Sequence, residues 1–150
     1  MIETGAKLPN LKVADDSGQM ISTESLLGGP LVLYFYPKDD TPGCTNEASQ
    51  FRDLYDDFKK KGAEVVGVSR DSVAAHQKFK AKHHIPFRLL ADVESALCDA
   101  FGVIVEKNMY GKKNKGIQRS TFLFDSGGKV VAVWPKVSVD GHAEEVLEKI

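Results

Sequence analysis

The residue with the clearest chemical potential is Cys44, at the end of Tyr36-Pro37-Lys38-Asp39-Asp40-Thr41-Pro42-Gly43-Cys44. The preceding run, LVLYFY (31–36), is continuously apolar and rich in aromatics, the pattern of a strand buried on both faces. Pro37 stops it, a short polar loop follows, and Cys44 falls in the first turn of an amphipathic helix. There the unpaired backbone N–H groups and the helix dipole favour a thiolate, the nucleophilic form of sulfur, over a thiol. Thr41 stands three residues before Cys44, close enough to bring its hydroxyl beside the sulfur. Pro42 lacks an N–H and has a fixed φ, which helps to hold the loop. A bland reading competes: Cys44 shares the apolar face of its helix, and most cysteines are small buried apolar residues. Position alone leaves both readings open.

The surrounding elements have to hold this loop. Cys44, Ala48, Phe51, Tyr55 and Phe58 recur at spacings of three and four, which predicts a helix over 44–61 with one apolar face. Lys59, Lys60 and Lys61 suit its C-terminal end, and Gly62 a stop. AEVVGVS (63–69) reads as a second strand. Asp71 or Ser72 caps a helix to about His83, and a short strand follows near FRLL (87–90). Asp92 caps a short helix through Phe101. STFLFD (120–125) and KVVAVW (129–134) flank Ser126-Gly127-Gly128 as a hairpin. The last ten residues predict a helix whose Val146, Leu147 and Ile150 pack back. This order implies an α/β fold, a central mixed β-sheet flanked by helices on both faces.

P-x-x-x-T-x-x-C, here Pro37, Thr41 and Cys44, resembles the active-site signature of the peroxiredoxins. YFYPKDDTPGCTNEA is most similar to the bacterioferritin comigratory protein branch, also called peroxiredoxin Q. The likeness extends through GAKLPNLKVADDSGQ, VVGVSRDS, FGV and EKNMYGKKNKGIQRSTFLFD to the closing hairpin. The resemblance implies a thioredoxin-like fold and a peroxidatic cysteine at a helix N-terminus, attacking a hydroperoxide and becoming a sulfenic acid. It also implies an arginine from a distant strand, matched by Arg119, and a carboxylate that orients it, matched by Glu47. On this reading the Gly43 and Cys44 N–H groups donate toward the peroxide, Pro37 shields the sulfenate, and Tyr36 and Phe51 wall the pocket. No cofactor or metal is implied.

Many relatives of this kind carry a resolving cysteine five residues after the peroxidatic one, where this chain has Ser49. Others carry it in the next helix, where this chain has Lys80. The other thiol here is Cys98, on the apolar face of a short helix with Leu97 and Phe101, which reads as core. A disulfide needs Cα atoms within about 7 Å, and nothing in the sequence suggests that for Cys44 and Cys98. The expectation is therefore a one-cysteine mechanism, with thioredoxin, glutaredoxin or glutathione reducing the sulfenic acid. A two-cysteine cycle through Cys98 is the alternative. From a different class, a non-enzymatic peroxide sensor or thioredoxin-fold binding protein would use Cys44 oxidation to change a surface.

The remaining composition excludes more than it assigns. The chain has 150 residues, 42% of them apolar and 27% charged, which fits one soluble globular domain spanning 1–150. The formal net charge is −1, which argues against a nucleic-acid binder. No apolar run approaches the ~20 residues of a membrane span, and no signal peptide is visible at the start. Two cysteines make no disulfide scaffold, so the expected compartment is the cytoplasm; the expected state is a monomer or weak dimer. There is no C-x-x-C, G-x-G-x-x-G or Walker loop. His76, His83 and His84 lack ligand spacing and read as solvated surface. The basic stretch EKNMYGKKNK reads as a solvated loop beside the site and a candidate edge for docking a reductant.

Overall fold

A computed structural model describes residues 1–150, with the side chain of Met109 left aside. Its elements are β1 (Lys12–Asp15), β2 (Met20–Ser22), a 3-10 turn (Thr23–Leu26), β3 (Leu31–Phe35), α1 (Pro42–Asp53), α2 (Tyr55–Lys60), β4 (Glu64–Ser69) and α3 (Val73–His83). After these come β5 (Arg88–Ala91), α4 (Ala96–Phe101), β6 (Ile104–Met109), β7 (Lys112–Ile117), β8 (Ser120–Phe124), β9 (Val130–Trp134) and α5 (His142–Glu148).

One sheet runs in the order β2-β1-β5-β4-β3-β8-β9, parallel from β3 to β4 to β5 and antiparallel elsewhere. The expected mixed sheet flanked by helices is present. β3 lies inside it, between β4 and β8, and every residue of it is buried. Its side chains alternate between faces. Leu31, Leu33 and Phe35 join Leu97, Cys98, Phe101 and Phe122 on one face. Val32, Tyr34 and Tyr36 join Cys44, Phe51, Phe58 and Phe79 on the other. Thus α4 covers one face, and α1, α2, α3 and α5 cover the opposite one.

Three local expectations need correction. The helix expected over 44–61 begins at Pro42, with Thr41 as N-cap, and divides at Leu54, whose φ of −103° and ψ of 4° leave the helical region. Pro at the first helical position costs nothing, because that N–H has no partner in any helix. The N-terminal pair β1–β2, absent from the sequence reading, extends the sheet beyond β5. The basic stretch after Val103 is an ordered two-stranded hairpin, β6–β7, rather than a loop. Tyr110 and Gly111 form its two-residue turn, both at positive φ (54° and 77°), as a type I′ turn requires.

Candidate active site

The loop between β3 and α1 is fastened at several points. The Asp39 N–H donates to Asp71 Oδ2 at 2.9 Å, and Ser69 Oγ donates to the same oxygen at 2.6 Å. The Tyr36 hydroxyl donates to Asp39 Oδ1 at 2.6 Å. The other Asp39 oxygen accepts from His76 Nδ1 at 2.6 Å, while His76 Nε2 donates to the Leu90 carbonyl at 2.9 Å. A carboxylate and a carbonyl only accept, so both imidazole nitrogens donate and the ring is cationic. Burial alone would push the His76 pKa down, but the Asp39 carboxylate and Leu90 carbonyl outweigh it and hold it above the usual histidine value.

His76 is therefore fully buried, not solvated surface. Asp39, Asp71 and His76 bring ligand-type atoms within 4.8 Å of one another. An imidazolium has no lone pair to offer a metal, and the arrangement reads as a clamp that fixes the loop. Sequence spacing hid it, since Asp39 and His76 stand 37 positions apart.

With the loop fixed, α1 starts at Pro42 and places Cys44 in its first turn, 1% exposed. Arg119 comes from the two-residue link between β7 and β8, not from within a strand. Its Nη2 donates to Cys44 Sγ at 3.3 Å, and its Nη1 donates to Glu47 Oε1 at 2.7 Å. One planar guanidinium thus spans a sulfur and a carboxylate that lie three residues apart on one helix. Nη2 lies only 3.1 Å from where a Cβ on Gly43 would stand, so the glycine lets the arginine approach the helix start.

Glu47 is 1% exposed, and its Oε2 has no hydrogen-bond partner among the described residues. Burial raises its pKa to about 7 against the opposing pull of Arg119. Of the sequence-predicted residues, Cys44, Gly43, Glu47 and Arg119 meet directly. Pro37 ends β3, half-buried. The Tyr36 ring packs in the same core face, 6.3 Å from Phe79, with its hydroxyl held by Asp39 rather than facing the sulfur. The Thr41 hydroxyl donates to the Lys38 carbonyl at 2.8 Å.

Cys98 lies elsewhere. It is fully buried on the opposite face of the sheet, in α4, with its own N–H donating to Asp92 Oδ2 at 2.8 Å. Burial, and next to it the Asp92 carboxylate, push its thiol far above the usual cysteine value.

The chain as a whole is similar to known proteins. The model of the AhpC/TSA family matches residues 4–133. A putative peroxiredoxin bcp of Coxiella burnetii is 52% identical over 99% of each chain. Peroxiredoxin Bcp of Bacillus subtilis is 46% identical over 99% of this chain and 95% of its own. Among solved structures, a cysteine-to-serine mutant of Xylella fastidiosa PrxQ superposes with a TM-score of 0.94 at 42% identity, over 99% of this chain and 95% of that one. The chain therefore belongs to the AhpC/TSA family, on its bacterioferritin comigratory protein or peroxiredoxin Q branch, and is a thiol-dependent peroxidase, reducing hydroperoxides at the expense of a thiol.

Proposed function

We propose that Cys44 is the peroxidatic residue of a one-cysteine cycle. The observation that carries this is the Arg119 guanidinium bridging Sγ and the Glu47 carboxylate. In the first step the Cys44 thiolate attacks the terminal oxygen of ROOH. The S–O bond forms as the O–O bond breaks, and the departing RO⁻ takes up a proton, leaving Cys44–SOH and ROH. Arg119 donates toward the charge that builds on the oxygens, and the N–H groups of Gly43 and Cys44, free at the start of α1, add to it. Thr41 keeps lone pairs to accept the peroxide hydrogen while donating to Lys38. Pro37 shields the product from water.

In the second step an external thiol R′SH displaces water from Cys44–SOH, giving the mixed disulfide. A second R′SH then releases Cys44–SH and R′SSR′. A sulfenic acid 1% exposed is out of reach of a bulky thiol, so the first turn of α1 opens for this step. Thioredoxin, glutaredoxin or glutathione would serve as R′SH. The opposite-face placement of Cys98, fully buried, supports an external resolving thiol over an internal one. The assembled Arg119–Cys44–Glu47 set also favours an enzyme over a passive sensor, which needs no peroxide-polarising donors.

The test is one equivalent of hydrogen peroxide on the reduced protein, followed by intact mass. One added oxygen, captured at Cys44 by a sulfenic-acid reagent, is expected. Loss of two hydrogens within one chain would install Cys98 as the resolving residue. An unchanged thiol would remove Cys44 from the chemistry.

A further inference from the structure

The turn that carries Cys44 is held from both sides, and the steps above use only one of the holds. On its C-terminal side Glu47 is fixed by Arg119, which also reaches the sulfur. On its N-terminal side the hold falls on Asp39, five residues before Cys44. The Asp39 side chain is 6% exposed, and its cation is His76 of α3, fully buried, with Nδ1 at 2.6 Å. The other ring nitrogen ties His76 to the Leu90 carbonyl of β5. The Tyr36 hydroxyl and the Asp71 carboxylate also reach Asp39, but neither brings a positive charge.

The next residue repeats the pattern more weakly. Asp40 pairs with Lys82 and His83 of α3 at 2.8 and 2.9 Å, but the Asp40 side chain is 46% exposed and that of Lys82 62%. Exposed pairs of this kind contribute little. A buried carboxylate that loses its cation is left uncompensated, at a far larger cost. The hold on the loop therefore rests on His76. Asp40 itself has a φ of 60°, in the left-handed region that favours glycine, and a backbone in that shape is kept by the contacts that fix it.

We infer that His76 is a positioning residue of the cycle: its grip on Asp39 keeps the Cys44 turn closed, and release of that grip admits the reducing thiol. This rests on the peroxidase reading of Cys44, because it is the buried sulfenic acid that the thiol has to reach. Opening the first turn of α1 displaces the chain between Asp39 and Glu47, so one of the two holds has to yield. Oxidation weakens the C-terminal one, since a neutral sulfenic acid attracts the guanidinium less than a thiolate does. The Asp39–His76 bond is untouched by that change and supplies the remaining resistance. It exists only in the closed state, so deleting it shifts the equilibrium toward the open state by its full worth. For a hydrogen bond between charged groups that is about tenfold to a hundredfold.

Cys98 supplies an internal control, because it is buried on the opposite face of the sheet and is uncovered by general unfolding rather than by movement of this loop. The reduced protein is treated with dithiobis(nitrobenzoic acid), a disulfide too bulky to reach a sulfur 1% exposed, and modification of each cysteine is followed by peptide mass. His76→Gln, whose amide nitrogen falls in the place of Nε2 and gives up the Asp39 bond, should speed modification of Cys44 by about tenfold or more and leave Cys98 within about twofold. His76→Asn, whose amide nitrogen stands in the place of Nδ1, should bring Cys44 back to within about threefold of the unsubstituted protein. Asp39→Asn, which keeps the side chain's size and removes its charge, should speed Cys44 by about threefold to tenfold, and it decides alone if His76→Gln does not fold. Return of the thiol from the sulfenic acid with glutathione should quicken in step with these rates. An unchanged Cys44 rate, or a gain shared equally by Cys98, overturns the inference and leaves the peroxidase reading standing. Hydrogen peroxide that fails to consume the Cys44 thiol of the unsubstituted protein would overturn that reading instead, whatever the disulfide reagent shows.

Discussion

Cys44 and Cys98 are both buried, at 1% and 0% exposure, each near the start of a helix and each packed among aromatics. Burial therefore does not distinguish them. The charged partner does. Cys44 faces the Arg119 guanidinium at 3.3 Å. Cys98 sits against the Asp92 carboxylate, which accepts the N–H groups of Leu97 and Cys98 and so caps α4. A cation beside sulfur favours the thiolate, and an anion beside it favours the thiol. One helix start is arranged for chemistry and the other for holding the chain together.

The sharpest way to break this contrast is to remove the cation. Complete ionisation of an ordinary thiol gains roughly 10–30-fold in thiolate near pH 7. A preorganised donor aimed at developing charge is worth about 10²–10³ in rate. Arg119→Ala is therefore expected to slow oxidation of Cys44 by about 10²–10³-fold, measured by stopped flow with hydrogen peroxide at a pH where the thiol is fully ionised in both proteins. Equal rates under those conditions would mean that Arg119 acts through ionisation alone, and the contrast between the cysteines would reduce to which of them ionises.

How far this was legible in the sequence depended on where the determining contacts lie. The strand–loop–helix that presents Cys44 is local, and its apolar run and helical spacing were readable. Arg119 and Glu47 entered through resemblance to a family, because a contact spanning 72 positions leaves no periodic trace. The His76–Asp39 clamp left none either, since a lone histidine on a helix reads the same whether it is buried or exposed. The β7 strand, KKNKGI, is exposed at four of its six positions, so the alternation that marks a half-buried strand is absent. Its turn signal, Tyr110-Gly111, departs from the usual Asn-Gly. The division at Leu54 follows no residue that breaks helices.

The next effect concerns the carboxylate that holds the cation. The unfolded chain releases the Glu47 proton near 4.5 and the folded chain near 7. Between those values the folded state binds more protons, so stability falls as pH rises across that window. The shift corresponds to at most about 3 kcal/mol. Glu47→Gln, neutral at every pH, should flatten this part of the stability–pH curve obtained from urea unfolding between pH 4.5 and 7. His76 acts in the opposite part of the range: its raised pKa contributes stability that is present below about 6.5 and lost at higher pH, and the Gln variant leaves that loss in place. An unchanged slope below pH 7 in Glu47→Gln would place the Glu47 carboxylate in its ordinary range and assign the Arg119 geometry to a full ion pair.

The smallest effect is the one that separates the two cysteines most cleanly. Cys98→Ala deletes one sulfur from a packed face among Leu97, Phe101 and Phe122, at a cost of about 1 kcal/mol in unfolding free energy. The rate of Cys44 oxidation should stay within about twofold, because Cys98 touches neither Arg119 nor Glu47. The rate of sulfenic acid reduction by an added thiol should also hold, which is the more demanding condition. If Cys98 resolved Cys44 during partial unfolding of α1, the variant would oxidise normally and then stall at the sulfenic acid, accumulating sulfinic acid under excess peroxide. Equal recovery of both proteins with the external thiol is the expected outcome, and the stalled variant would move Cys98 from the core into the cycle.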